Sequence, residues 1–564
     1  MKIKFLLIFT FLCLVSGFLL HAQTLPVGLL DNVEDTYRRQ QLLGKDSSNS
    51  SYMVRPMYIL KSKNFQLDGD TTFNVNNLMK LLYTNSSSNI KVYALPVVWQ
   101  NQENTHHPYG INDGSMVQSN GYQTQISGGL FAQLGPLTIQ LRPEYVYAEN
   151  KYFQKLSDAP NGAQFTYPVA QVYNSIDLPD RFGDGQYSKL TWGQSSIRLN
   201  AGPVSLGLSN ENLWWGPGVR NSLLMSNNAS GFKHLTLNTI RPIKTYIGSF
   251  EAQIIGGRLE QSGIALPEGP DYVNKPKDWR YMSGLVVTYQ PKWIPNFFLG
   301  LERVYLVNHR QMGNSFGDYF PIFNAPEKSS YTNADGTNVE DAAARDQYIS
   351  FFTRYVLPEA KAEIYFEYGR NDHSYNSRDG LVEPEHSRAY IAGFRKLITL
   401  PKADEYLQLG VEVTQLQEPS TRFLRETPPW YRHNQVTDGY TNDGQVLGAG
   451  IGPGSNLQTF DINWVKGLKK IGFTFERQVN NNDLFYDFSS SSSGDSQHVN
   501  RRWIDLSFAS NFAWTYKHFV FNSQLVYIRS LNYQYQETQH INTGKITGKD
   551  VDNLHLKVGI LYNW

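Results

Sequence analysis

Leu554-His555-Leu556-Lys557-Val558-Gly559-Ile560-Leu561-Tyr562-Asn563-Trp564 reads as two interleaved sets of residues. One set is Leu554, Leu556, Val558, Ile560, Tyr562 and Trp564. The other is His555, Lys557, Gly559, Leu561 and Asn563. A strand repeats its side-chain direction every second residue, so the first set forms a continuous apolar face ending in two aromatics. The second face is mostly polar or small. In a water-soluble sheet the apolar face would cover a core. In an outer-membrane barrel it faces lipid, with Tyr562 and Trp564 at the interface, and the polar face lines a lumen.

The other end of the chain agrees with export. Lys2 and Lys4 precede the apolar run Phe5 to Leu20, and His21-Ala22 supplies a small residue for cleavage, the layout of a signal peptide over residues 1–22. A retained membrane helix fits less well, because no cluster of charge anchors its far end. A lipoprotein signal is also disfavoured, since Cys13 follows Phe11-Leu12 instead of small residues. Cys13 is the single cysteine, so the mature chain must gain stability from a large core or a closed sheet rather than disulfides. Removing Lys2 and Lys4 leaves 49 of the 51 basic residues against 50 acidic ones. Such a balance argues against nucleic acid as a partner. Aromatics make up 14% of the chain and 35 of them are Tyr, which suits interface girdles and sugar-stacking surfaces alike. No mature segment is long and apolar enough for a membrane helix.

Residues 23–85 form a small N-terminal helical element, either periplasmic or a plug. Leu29 to Leu43 has helix signals, with Asp31 as a cap and Leu42-Leu43-Gly44 as a stop, and Asn74 to Tyr83 is a second candidate helix. From 86 to 564 the chain alternates strands, tight turns and long polar loops. Period-two strands include Ile90–Val98, Leu137–Tyr147, Ala362–Tyr368, Leu407–Gln415, Ile471–Arg477 and Phe519–Tyr527. Turn chemistry recurs near Ser88, Gly135-Pro136, Gly202-Pro203, Ile247-Gly248, Lys292–Pro295, Pro358, Pro401, Gly467 and Tyr516. Each interval has room for two strands and one long loop. The fold expected is all-β: a transmembrane, antiparallel, up-and-down β-barrel of about 18 strands. Short turns then face the periplasm. Long loops such as Gln100–Gly121, Lys151–Gln186, Asn308–Gln347, Gln417–Ser455 and Asn480–Arg501 face outside, and Ser489–Ser493 reads as a flexible tip.

The most distinctive block is Asn210–Glu251. It contains Asn210-Glu211-Asn212-Leu213-Trp214-Trp215-Gly216-Pro217-Gly218-Val219-Arg220-Asn221, then Ser226-Asn227-Asn228, Leu237-Asn238-Thr239, Arg241-Pro242 and Ile247-Gly248-Ser249-Phe250-Glu251. This block resembles the capsule-assembly family Wzi of Bacteroidetes-type outer membranes. The resemblance implies an eighteen-stranded outer-membrane barrel whose periplasmic end is closed by an N-terminal helical portion. It also implies a lectin-like, non-enzymatic role in holding capsular or surface polysaccharide and assisting capsule assembly. The partners expected are that polysaccharide, outer-membrane lipid and the barrel-assembly machinery.

Trp214, Trp215, Arg220, Asn221, Asn227, Asn228 and Arg241 are the candidate glycan-binding residues. Indole faces pack on pyranose C–H groups, while Asn and Arg exchange hydrogen bonds with hydroxyls or uronates. The alternative, and the preferred one, is a loop folded into the barrel with the indoles as packing. In that reading Arg220 and Arg241 pair with Glu211 or Glu251.

Catalytic groups, metal ligands and cofactors are not expected. Glu363 and Glu367 on one strand stand roughly 13 Å apart by strand rise, too far for a glycosidase pair. Together with Glu412, Glu476, His555 and Lys557 they read as lumen lining. Adjacent His106 and His107 on a strand-like path should point opposite ways, which speaks against a metal site. Asn112-Asp113-Gly114, Ala334-Asp335-Gly336 and Asn442-Asp443-Gly444 read as turns and lack the full calcium-loop pattern. Two rival functions remain, a porin or sugar-permeation channel and an outer-membrane enzyme acting on lipid or glycan.

Overall fold

The computed structural model describes residues 23–28, 31–46, 48–59, 79–87, 89–158, 163–323, 330–332, 338–340, 345–371, 377–425, 427–490, 502–536, 538–539, 546–547 and 549–564. Residues 1–22, read as a signal peptide, and the first half of the second candidate helix lie outside them. Twenty-four strands hydrogen-bond into one sheet. The last strand, Val551–Tyr562, pairs on one side with Phe519–Leu531 and on the other with Val97–Asn104, where His555 faces Asn104 and Tyr562 faces Val97. That pairing joins the last strand to the first and closes the sheet into a barrel.

Four staves are each built from two segments: Ile90–Ala94 with Val97–Asn104, Gly121–Ser127 with Leu130–Leu134, Leu137–Leu141 with Glu144–Ala148, and Tyr187–Thr191 with Ser196–Ala201. The short strands Lys80–Thr84 and Ile243–Lys244 are additions at the short-turn end. The twenty-four segments therefore reduce to eighteen staves. Two of the breaks fall at Pro96 and Pro143, which have no N–H to offer the ladder. Lys80–Thr84 is a strand paired with Ile90–Ala94, so the described part of the expected helix Asn74–Tyr83 is not helical. Leu81, Leu82 and Tyr83 are exposed there, continuing the apolar outer surface.

Burial is inverted relative to a soluble sheet. Along Val551–Tyr562, Leu554 and Leu556 are exposed, whereas Asn553, His555 and Leu561 are buried. Elsewhere Leu206, Leu208, Leu235, Leu237, Phe473 and Phe508 stand open on the outside, and Phe473 is 65% exposed. Glu363, Glu367, Glu412, Glu476, Arg354 and Arg395 are buried within. Apolar-out and polar-in is the arrangement that lipid imposes.

The N-terminal segment occupies the short-turn end of the lumen. Gln23–Leu25 pairs with Met57–Ile59, and the helix Asp31–Leu42 lies between them. Its Val33, with Leu25, packs on Val98, Val520 and Leu561, inward residues of the wall, and on Leu468 of a short turn. Thr36 and Arg39 donate to the Gly467 carbonyl of that turn. Helix charges are buried because the surrounding lumen is polar. Glu363 accepts from Arg38 (2.9 Å), Arg354 (2.5 Å) and Arg395 (3.4 Å), while Asp35 bridges Arg39 and Arg395.

Candidate functional site

The block that the sequence singles out turns into the barrel. Trp214–Trp215 forms a two-residue ladder with Val54–Arg55 of the N-terminal segment. Gly216 follows at φ +92, and a Cβ there would stand 2.8 Å from the Glu367 carboxylate. A Cβ on Gly218 would stand 1.9 Å from the Asn221 carbonyl oxygen, so the turn closes only with glycine. Around this turn three wall carboxylates grip the backbone and one side chain. Glu367 accepts from Leu223 N–H at 3.1 Å. Glu412 accepts from the N–H groups of Val219 (2.7 Å), Arg220 (3.1 Å) and Asn221 (2.8 Å). Glu476 takes the Arg220 guanidinium in a bidentate pair at 2.6 and 2.8 Å. Charge-assisted bonds of this kind are shorter and stronger than neutral ones.

Each candidate residue now has a place. Trp215 is fully buried and its indole N–H donates to Gln253 Oε1 at 2.9 Å. Trp214 is buried under the Arg55 guanidinium, 4.8 Å from the ring centroid, and its indole N–H finds no acceptor among the described residues. Asn221 donates to Thr414 Oγ1 at 3.1 Å. Asn227 accepts from Asn212 and donates to the Asn112 carbonyl, while Asn228 donates to the Val446 carbonyl. The asparagines thus tie loop to loop. Trp214, Arg220 and Asn227 meet at one cavity of about 290 Å³, also lined by Asp113, Glu476 and Lys557. Arg241 is exposed and lines a separate cavity of about 200 Å³ beside the N-terminal segment, with Tyr58, Asn238 and Glu251.

Three expectations are corrected. Arg220 pairs with Glu476, because Glu211 is taken by Arg198 at 2.6 Å. Glu251 accepts from Ser50 and from Ser51 N–H, so it is not the partner of Arg241 either. His106 and His107 do not point apart: the chain bends after Asn104, their rings lie 5.3 Å apart, and both contact Tyr533. Among the described residues no group of three acidic, histidine or cysteine side chains is placed to hold a metal ion. Asn112-Asp113-Gly114 and Asn442-Asp443-Gly444 are turns with positive φ at Asn112, Gly114, Asp443 and Gly444. Ala334-Asp335-Gly336 lies outside the described residues, as does Ser491 onward in the serine run, while Ser489 and Ser490 end the helix Asn482–Ser490.

The sequence reading missed an aromatic and basic cluster on the long-loop side. Phe423 (61% exposed) meets Tyr486 edge-on at 5.9 Å. Arg422 lies over Phe423 at 5.4 Å, and Arg502 lies over Tyr486 at 5.7 Å while donating to its hydroxyl at 2.8 Å. Phe423 and Tyr486 lie in two of the long loops expected to face outside, yet no spacing rule links residues this far apart in the chain.

Fold and site together define an outer-membrane barrel whose lumen is occupied by its own chain. The chain belongs to the family described as capsule assembly protein Wzi, which matches residues 100–519. Family and fold place it in the bacterial outer membrane. No curated protein sequence matches it. Among solved structures, Wzi of Escherichia coli, described as a carbohydrate-binding β-barrel involved in group 1 capsule assembly, is similar with a TM-score of 0.53 at 12% identity. The match covers 83% of this chain and 84% of that one. OccAB2 of Acinetobacter baumannii matches with a TM-score of 0.38 at 9% identity, over 83% of this chain and 97% of that one.

Proposed function

We propose that this chain is a non-enzymatic, lectin-like barrel that holds capsular or surface polysaccharide at the outer face and assists capsule assembly. The observation that carries this reading is the occupied lumen. Inward carboxylates of three staves are spent on the block Asn210–Leu223 and the helix Asp31–Leu42 sits in the short-turn end, which favours an anchor over a permeation path. In this reading the described part of residues 23–59 acts as a plug, while Lys80–Thr84 extends the wall. Trp215, Asn221, Asn227 and Asn228 keep the block and its neighbouring loops in register, and they support binding without touching the polymer.

Polysaccharide contact is assigned to the outer cluster of Phe423, Tyr486, Arg422 and Arg502. An exposed ring gives a sugar a face to stack on, and the exposed Arg502 guanidinium offers donors to hydroxyls, while Arg422 is held by Glu418 and Asp487 and braces the Phe423 ring. Purified Phe423→Ala/Tyr486→Ala protein should retain about tenfold less capsular polysaccharide in a pull-down, with heat-modifiable migration unchanged. Full retention by the folded variant would remove the cluster from the site. A large steady conductance of the unaltered protein in planar bilayers would favour the channel reading. Release of reducing ends or fatty acid would favour an enzyme.

A further inference from the structure

The outer wall is interrupted in one place. Along Phe297–Asn308, residues of even number point into the lumen, with Phe298, Glu302, Val304 and Leu306 buried. Residues of odd number point out, and Leu299 is accordingly 40% exposed. Higher on the same outward row, however, Arg303 (7% exposed), Tyr305 and Val307 are buried. On the neighbouring staves Ser283 and Gln347 share that outward side and are buried as well. What covers them is the chain after Asn308, which folds down over the outside. The turn Pro321–Phe323 packs on both Arg280–Pro291 and Phe297–Asn308. Arg303 donates to the Ile322 carbonyl at 3.2 Å, to Gln347 Oε1 at 3.0 Å and to the Tyr305 hydroxyl. Tyr281 donates from its hydroxyl to the Tyr319 carbonyl at 2.9 Å. The fold of the segment is held by Ser315 and Asp318, whose side chains cap Phe316–Tyr319, and by the Asp318–Arg345 pair at 2.8 Å.

The segment's other side is apolar and open. Phe316 is 71% exposed, Phe323 56% and Tyr319 43%. Below them on the same outward side Leu299 and Phe351 are exposed too, part of the apolar belt that the outer-membrane reading turns toward lipid. We propose that residues 309–323 are an outer-leaflet anchor, a flap lying along the barrel wall that places Phe316, Tyr319 and Phe323 among the lipids at the headgroup boundary. The occupant is lipid because the exposed rings are continuous with the lipid-facing belt, and aromatics at that depth are the side chains an interface favours. The flap also puts its own backbone carbonyl on the guanidinium of Arg303, which would otherwise face hydrocarbon.

The proposal rests on the outer-membrane reading, and one experiment separates the two. The only cysteine is Cys13, in the leader, so single-cysteine variants of the mature chain label at one site. Phe316→Cys, Leu299→Cys on the belt and Asp184→Cys on an exposed outer loop would each carry an environment-sensitive fluorophore in phosphatidylcholine vesicles with brominated acyl chains. The Phe316 and Leu299 probes should lose at least half their emission to brominated lipid, and the Asp184 probe should be quenched by aqueous iodide instead. A Phe316 probe quenched by iodide like Asp184 would overturn the flap while leaving the barrel reading intact. Shielding from both quenchers would mean that protein, a second copy included, covers the patch, and would equally overturn it. A Leu299 probe untouched by brominated lipid would overturn both readings. If Phe316→Cys fails to give heat-modifiable protein, Phe323→Cys carries the same comparison.

Discussion

A histidine enclosed by a barrel must remain uncharged, and His107 shows the consequence for pH. Burial, helped by the adjacent His106, pushes its imidazole down to about 3. Its ring sits 4.8 Å from that of Tyr533, and its carbonyl accepts from Asn553. In the unfolded chain the same ring titrates near its ordinary value of about 6.5. Between those two values the unfolded state binds the extra proton, so the stability this residue contributes is complete above about pH 6.5 and is lost as pH falls toward 3. At pH 5 the loss amounts to about 2 kcal/mol. The midpoint of heat-modifiable unfolding should therefore drop between pH 7.5 and 5, and His107→Phe should drop by clearly less.

At the scale of elements, the N-terminal helix is held by charge as well as by packing. Glu363 faces Arg38, Arg354 and Arg395 at once, and Asp35 sits between Arg39 and Arg395. For Asp35, burial alone would raise the carboxyl, yet Arg395 and Arg39 outweigh it and hold it below the usual range. Removing one partner of a buried ionic cluster costs about 3–5 kcal/mol, because the remaining charges lose their compensation. Glu363→Gln should accordingly loosen the helix from the wall, with current steps appearing in planar bilayers and faster proteolysis after Leu42. Unchanged current and proteolysis would mean that apolar contacts of Val33 and Leu25 suffice. The helix itself was legible from Asp31 and Leu42-Leu43-Gly44, and the staves were legible from period-two runs such as Phe519–Tyr527. The splits at Pro96 and Pro143 lay inside runs that otherwise alternate cleanly, so pattern alone read each as one strand. The partners of the block were not legible at all. Glu367 and Glu476 lie 144 and 256 residues from the groups they accept from, and no local rule spans that distance. Phe423 and Tyr486 escaped notice for the same reason.

For the whole molecule, the inverted distribution of polarity makes a prediction that a soluble sheet would not. Phe473 is 65% exposed on the outer face of Lys469–Val479. In water an exposed Phe→Arg change is usually tolerated within about 0.5 kcal/mol. On the lipid face of a barrel the same change costs about 2–4 kcal/mol near the midplane. Phe473→Arg should thus lower stability in bilayers by that larger amount, measured by urea-driven release from vesicles, while a small effect would place the apolar face against something other than lipid. The buried row of Glu367, Glu412 and Glu476 is the counterpart on the inside, where carboxylates are kept because the chain itself supplies their donors.

Those carboxylates also impose an order of construction. The segment they clasp is made early in the chain, whereas the staves carrying them arrive afterwards, and the final seam unites Val551–Tyr562 with Val97–Asn104. The contents must be in position before the walls are complete. Each incoming hairpin then finds a ready-made template in the segment already resting there, and the cylinder is sized by its cargo.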